Sequence, residues 1–196
     1  MSSDRTLTIL QVNDNPAANA DSTSTNEDTL VSFNVLANDA DVDTISSLNE
    51  NDLHAKSEFV IDSCYFYGDA HGTLKIEGAS IEYKPDADFY GTQIIKYVLN
   101  DGNGGTSTGT LTILVGSKND APVAKNDEMT ALEDNTASVN VLTNDTDVDT
   151  GDTKTFVGFL ESTSGRGGTF TTDANGDISF TPVANFNGSF IKALSA

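Results

Sequence analysis

The chain has 196 residues and a formal charge of −20, from 10 Lys and Arg against 30 Asp and Glu. That balance excludes the basic footprint that nucleic acid or an anionic membrane surface requires, and no stretch approaches the roughly 18 apolar residues of a membrane span. A 37% hydrophobic share set among many Thr, Ser, Asn, Asp and Gly is too apolar for disorder and suits short strands joined by turns.

Taken in chain order, Met1–Arg5 lacks the apolar core of a secretory signal. Thr6-Leu7-Thr8-Ile9-Leu10 is identical to Thr110-Leu111-Thr112-Ile113-Leu114, and each precedes an Asn-Asp-x-Pro. Residues 1–12 are therefore expected to be the last strand of a preceding repeat plus a linker, in a piece of a longer protein. Val31, Phe33 and Val35 alternate with Ser32 and Asn34, the pattern of a half-buried strand. Cys64 lies in Ser63-Cys64-Tyr65-Phe66-Tyr67 and reads as a strand residue rather than a nucleophile. As the sole cysteine it excludes an intrachain disulfide. A secreted chain then needs other stabilisation, of which metal binding is one form. Leu74 and Ile76 alternate, then Ile81 and Tyr83 after a Gly78-Ala79 turn. Asp86 and Asp88 read as a turn. Ile95, Tyr97 and Leu99 form one apolar row, with Ile94 and Val98 as a second. Asp101-Gly102-Asn103-Gly104-Gly105 is a hairpin-loop signal, and Leu111, Ile113 and Val115 follow it. No helical period appears. About seven short strands in about 105 residues read as an immunoglobulin-like sandwich, with a small β-barrel as the alternative.

The chain repeats itself. Asn13-Asp14-Asn15-Pro16 recurs as Asn119-Asp120-Ala121-Pro122, Glu27-Asp28 as Glu133-Asp134, and Asn38-Asp39-Ala40-Asp41-Val42-Asp43 as Asn144-Asp145-Thr146-Asp147-Val148-Asp149, all at an offset of 106. Tyr83-Lys84-Pro85 and Phe89-Tyr90-Gly91 match Phe180-Thr181-Pro182 and Phe186-Asn187-Gly188 at 97. The first copy thus has an excess of 106 − 97 = 9 residues, within 45–70. The division expected is a complete repeat at 13–118 and a second at 119–196 that breaks off before its final strands. The orphan strand Thr6–Leu10 would fill that gap in another molecule, giving a strand-exchange homo-oligomer.

The acidic surface has two readings, solubility through self-repulsion or carboxylate sites neutralised by cations. Position favours the second. Each Asp-x-Asp-Val-Asp sets carboxylates two residues apart, and a turn needs one Asp rather than three crowded together. Their repulsion calls for a cation. Calcium takes about six to eight hard oxygens at roughly 2.4 Å. The lack of His or Cys clusters argues against zinc or copper, and the spacing and missing flanking helices argue against an EF-hand.

Gln11-Val12-Asn13-Asp14-Asn15-Pro16 resembles a cadherin interdomain linker, and Asp39-Ala40-Asp41 resembles the cadherin Asp-Ala-Asp element. With Glu27-Asp28, Val35–Asp39, His71-Gly72-Thr73, Tyr83-Lys84-Pro85, Phe89-Tyr90-Gly91 and Asp101–Gly105, the chain resembles the bacterial cadherin-like, immunoglobulin-like tandem repeats of large calcium-dependent surface adhesins. Many of these are exported by type I secretion. The resemblance implies an extracellular, cell-surface extender whose partners are its neighbouring repeats, with Ca2+ at each junction stiffening a stalk. Carried over, the central junction would use Asn119, Asp120, Asp145, Asp147 and Asp149, with Glu27 or Asp28, and Asp101, from the far end of the first repeat. The upstream junction would use Asn13, Asp14, Asp39, Asp41 and Asp43. The repeats-in-toxin nonapeptide array of such adhesins is absent, which fits an internal segment.

The alternative function is recognition of a glycan, a peptide or a like domain through the extra loop of the first repeat. No enzyme is expected. His54 and His71 have no nucleophile that the sequence can place beside them, and Gly165-Arg166-Gly167-Gly168 lacks the Lys-Ser/Thr of a phosphate loop.

Overall fold

The computed structural model describes residues 12–44, 59–159, 167–189 and 194–195. The segment Thr6–Leu10, His54 and Gly165-Arg166 lie outside them, and so does most of the segment holding the extra residues of the first copy. The chain divides into two compact units, Met1–Lys118 and Asn119–Ala196.

The first unit carries β1 (Ala20–Asn26), β2 (Val31–Asn34), β3 (Val60–Phe66), β4 (Gly72–Glu77), β5 (Ser80–Pro85), β6 (Gly91–Asn100) and β7 (Thr106–Gly116), with one 3-10 turn at Val42–Thr44. They form two separate sheets, β1-β7-β6-β3 and β2-β5-β4. All pairs are antiparallel except β1 with β7, which run parallel from Ala20 opposite Thr110 to Asn26 opposite Gly116.

Alternation explains the packing. β6 turns Gln93, Ile95, Tyr97 and Leu99 inward, and β7 turns Leu111, Ile113 and Val115 inward. These meet Val35, Ile81 and Tyr83 of the facing layer, with Val31, Phe33, Leu74 and Ile76 half-buried around them. Burying a side chain of this kind contributes roughly 1.5–3 kcal/mol. The inward position of β7 opposite Tyr97 is Gly109, where a Cβ would lie 2.1 Å from the tyrosine ring. Only a residue without a side chain lets the ring pass. The result is a sandwich, and the barrel alternative falls away.

One strand escaped the pattern. β1 reads Ala-Asp-Ser-Thr-Ser-Thr-Asn, and its inward row is Asp21, Thr23 and Thr25. Polar residues alternate in burial there as apolar ones do elsewhere, so hydrophobicity gives no signal.

The second unit carries β8 (Ala137–Asn140), β9 (Gly158–Phe159), β10 (Gly168–Thr172), β11 (Asp177–Pro182) and β12 (Leu194–Ser195). β8-β11-β10 reproduces β2-β5-β4, and β9 pairs with β12 as β3 pairs with β6. Its described core is Val141, Phe156 and Ile178. A run of aromatic rings, Phe156–Phe159–Phe170–Phe180, extends that core with centroids 5.6, 5.4 and 4.8 Å apart. The described chain is all-β, a tandem of two sandwich units.

Candidate metal centre

Four aspartates of the first unit, Asp14, Asp41, Asp43 and Asp101, gather where the linker enters. Ala17 and Ala40 exchange backbone hydrogen bonds of 2.7 and 3.1 Å, which tie the loop after β2 to the linker. Just before that tie, the Asp14 N–H donates to Asp43 Oδ2 at 2.6 Å. The Asp43 N–H donates to Asp41 Oδ1 at 2.9 Å. Asp41, Asp43 and Asp101 are buried.

Asp101 enters from the β6–β7 loop. Its Oδ1 accepts from the backbone of Asn103 and Gly105 at 2.7 and 2.9 Å, and its Oδ2 accepts from Asn13 Nδ2 at 2.8 Å. Burial alone would raise its pKa. The hydrogen bonds from Asn13 and from the Asn103, Gly105 and Gly104 amides outweigh burial and hold the carboxyl below its ordinary value. Gly105 is the residue that allows this approach, since a Cβ there would lie 2.2 Å from Asp101 Oδ2 and 2.8 Å from the Asp14 carbonyl.

Asn13 spends its amide group on Asp101 and on the Asp14 carbonyl, 3.1 Å away. Its Oδ1 is consequently the oxygen end, buried and without a hydrogen-bond partner. A buried amide oxygen without a donor costs about 1–3 kcal/mol, and a hard cation removes that cost. Beside it stand carboxylates, with no His or Cys among the residues gathered. The donor set fits calcium.

The second unit repeats the linker half of this arrangement, with no counterpart of the Asp101 bonds among its described residues. The Asp120 N–H donates to Asp149 Oδ2 at 2.6 Å, the Asp149 N–H to Asp147 Oδ1 at 3.0 Å, and Asn119 Nδ2 to the Asp120 carbonyl at 2.7 Å. Val123 and Thr146 form the tie, again at 2.7 and 3.1 Å. Two stretches that differ in sequence have folded to one hydrogen-bond pattern, set by the positions they share.

Glu27 and Asp28 stand at the opposite end of the first unit. The Glu27 N–H donates to the Gly116 carbonyl at 2.9 Å, and Glu27 Oε1 accepts from the Lys118 N–H. Asp28 holds φ 59°, as Asp134 does in the second unit. Asp101 does not join them, contrary to the expectation that it serves the central junction. It precedes β7, whereas Glu27 is fastened to the end of that strand. A strand of this length spans roughly 33 Å, so Asp101 belongs with Asn13.

Sequence reasoning missed Asp21, Asp127 and Tyr97. The buried Tyr97 hydroxyl lies 3.2 Å from Asp21 Oδ2, 3.2 Å from Asp39 Oδ2 and 3.2 Å from the Val35 carbonyl. Burial and the negative Asp39 and Asp21 raise its pKa. Burial likewise raises Asp21, helped by the charge of Asp39 and opposed by hydrogen bonds from Tyr97 and Asn38. Asp127, at the same place in the second unit, is raised by burial and by Asp145. The available signal was the Asp21–Asp127 match at the repeat offset.

The remaining candidates take structural places. Burial pushes the Cys64 thiol up, away from reactive thiolate. The His71 ring stacks on Phe89 at 4.2 Å, and its carbonyl accepts from the Tyr83 hydroxyl. Asp88 holds a positive φ of 59° beside a Phe89 N–H to Asp86 carbonyl bond, a turn. Phe66 packs on the core while Tyr65 and Tyr67 are exposed.

Residues 13–114, just over half of the chain, match the family model of the bacterial Ig domain. Residues 119–192 match that of the bacterial cadherin-like domain. No curated protein matches the sequence. Among solved structures, the chain is similar to the human Desmocollin-1 ectodomain, with 15% identity and a TM-score of 0.42 over 93% of this chain and 33% of that one. It is also similar to Protocadherin Gamma B2 extracellular cadherin domains 3-6, with 13% identity and a TM-score of 0.41 over 86% of this chain and 38% of that one. The chain thus spans about a third of the desmocollin ectodomain.

Proposed function

The chain belongs to the bacterial Ig domain family, and from that premise we propose that it is a calcium-binding extender segment of a bacterial cell-surface adhesin. Each repeat takes calcium at the end where its linker enters. In the first, the ligands come from Asn13, Asp14, Asp41, Asp43 and Asp101. In the second they come from Asn119, Asp120, Asp147 and Asp149. Glu27 and Asp28 are the donors at the tail of the first repeat, where Glu27 already grips the linker through Lys118. Ions bound at the head of one repeat and reached from the tail of the one before would stiffen a stalk. The reading is of an extracellular spacer without catalysis. Among the described residues no helix is long and apolar enough to cross a membrane.

The observation that supports calcium most directly is Asn13 Oδ1, buried without a hydrogen-bond partner beside the Asp101 carboxylate. Calcium supplies the positive charge that the carboxylates need. The protein holds the ligands in place beforehand through the Asp14, Asp43 and Asp149 backbone bonds. The test is thermal melting with millimolar calcium against a chelator. The melting temperature rises with calcium in the parent, and the rise shrinks when Asp147 and Asp149 are both replaced by Ala. An identical melting curve in both buffers refutes the calcium reading.

A further inference from the structure

The repeated motif Asn-Asp-x-Asp-Val-Asp carries three carboxylates, and the structure gives them different work. Asn38 Nδ2 donates to the Ala20 carbonyl at 3.2 Å, Asp39 Oδ1 accepts from the Asn19 N–H at 2.7 Å, and Ala40 exchanges backbone bonds with Ala17. Three successive residues thus fasten the loop to the chain entering β1. The second unit has the same three fastenings. Asn144 Nδ2 donates to the Asn126 carbonyl at 3.1 Å, Asp145 Oδ1 accepts from the Lys125 N–H at 2.7 Å, and Thr146 exchanges bonds with Val123. The Asp39 carboxylate is further engaged by the Tyr97 hydroxyl at 3.2 and 3.3 Å. Asp41 and Asp43, by contrast, are organised by each other and by the linker at Asp14.

Resting on the calcium reading above, we infer that the first aspartate of each motif, Asp39 and Asp145, is a positioning residue and not a calcium ligand. It clamps the loop so that the two later aspartates, Asp41 and Asp43 or Asp147 and Asp149, face the linker. Both copies make the clamp with one oxygen on one backbone amide, two residues beyond the backbone tie, although Asn19 and Lys125 differ in chemistry. A side chain that must supply a 2.7 Å acceptor to a backbone N–H is held by that bond in one orientation. An Asn in its place keeps an acceptor oxygen, and Ala keeps none.

The test uses the full chain. Calcium and terbium are titrated into the parent, Asp145→Asn, Asp145→Ala and Asp149→Asn, with bound water counted from terbium luminescence lifetimes in H2O and D2O. Amide exchange of Lys125 is followed in the metal-free proteins. Asp145→Asn keeps the parent stoichiometry and hydration and loses less than about tenfold in affinity, the effect of one nearby charge. Asp145→Ala exchanges its Lys125 amide faster and loses about 10- to 100-fold, as removal of a ligand's support does. Asp149→Asn loses a bound ion or gains a bound water. The inference is overturned if Asp145→Asn loses an ion or gains water as Asp149→Asn does. A parent that binds no metal refutes the calcium reading instead. The clamp is then judged by Lys125 exchange alone, and equal rates in the parent and Asp145→Ala overturn it. Should Asp145→Ala fail to fold, Asp39→Asn and Asp39→Ala, read at the Asn19 amide, give the same decision.

Discussion

At the scale of single residues, the oxygens already committed to hydrogen bonds decide which ones remain for a cation. Gly105 is the most sensitive neighbour of the first cluster, since any side chain there strikes Asp101 and the Asp14 carbonyl. Gly105→Ala is expected to cost about 1–3 kcal/mol by overpacking and to weaken calcium binding. A chemical denaturation curve taken with and without calcium measures both. The pH dependence of Asp21 has a definite sign. Its folded pKa is raised, so between the ordinary carboxylate value and the raised one the folded chain holds more protons than the unfolded chain. Stability falls as pH rises through that window. Asp21→Asn removes the penalty. In chelator, its stability relative to the parent should therefore be more favourable at pH 7 than at pH 3, and a difference that stays flat or reverses contradicts this. The recurring Asp pattern was legible in the sequence because spacing alone reveals it. Asp21 and Tyr97 were not, because the hydroxyl and the carboxylate lie 76 residues apart and only the sandwich brings them together. Asp101 was assigned to the wrong end for a related reason. A hairpin loop can be read from Asp and Gly, but which end of the sheet it occupies depends on strand direction.

At the scale of elements, apolar alternation made β2, β4, β5, β6 and β7 legible. That alternation is missing from β1, whose buried row is Asp and Thr, and whose place is set by a parallel ladder to β7. That strand and β6 are locked together by Tyr97, whose ring needs Gly109 opposite it. Gly109→Ala should displace the ring and cost about 1–3 kcal/mol or more, while Tyr97→Phe should cost about 1–3 kcal/mol by leaving buried acceptors without their donor. Urea denaturation monitored by tyrosine fluorescence tests both. A variant as stable as the parent would show that the ring is not wedged as described.

At the scale of the whole molecule, the chain is two compact units that share one sheet order and one linker hydrogen-bond pattern. Calorimetric scanning of the full chain should show two transitions, and calcium should raise both. Two transitions merging into one without calcium would contradict the independence of the units. The duplication itself was plain from the sequence offsets, because the motifs that carry it sit in turns and linkers whose residues have little freedom to vary. The central claim is that both acidic clusters are calcium sites, and isothermal titration of calcium into the chelator-treated chain tests it most directly. Saturable binding is expected, in the range of about 10⁻⁴ to 10⁻³ M that extracellular modules use, weakened when Asp41 and Asp43, or Asp147 and Asp149, are replaced by Asn. A titration that shows only heats of dilution up to several times that range contradicts the account.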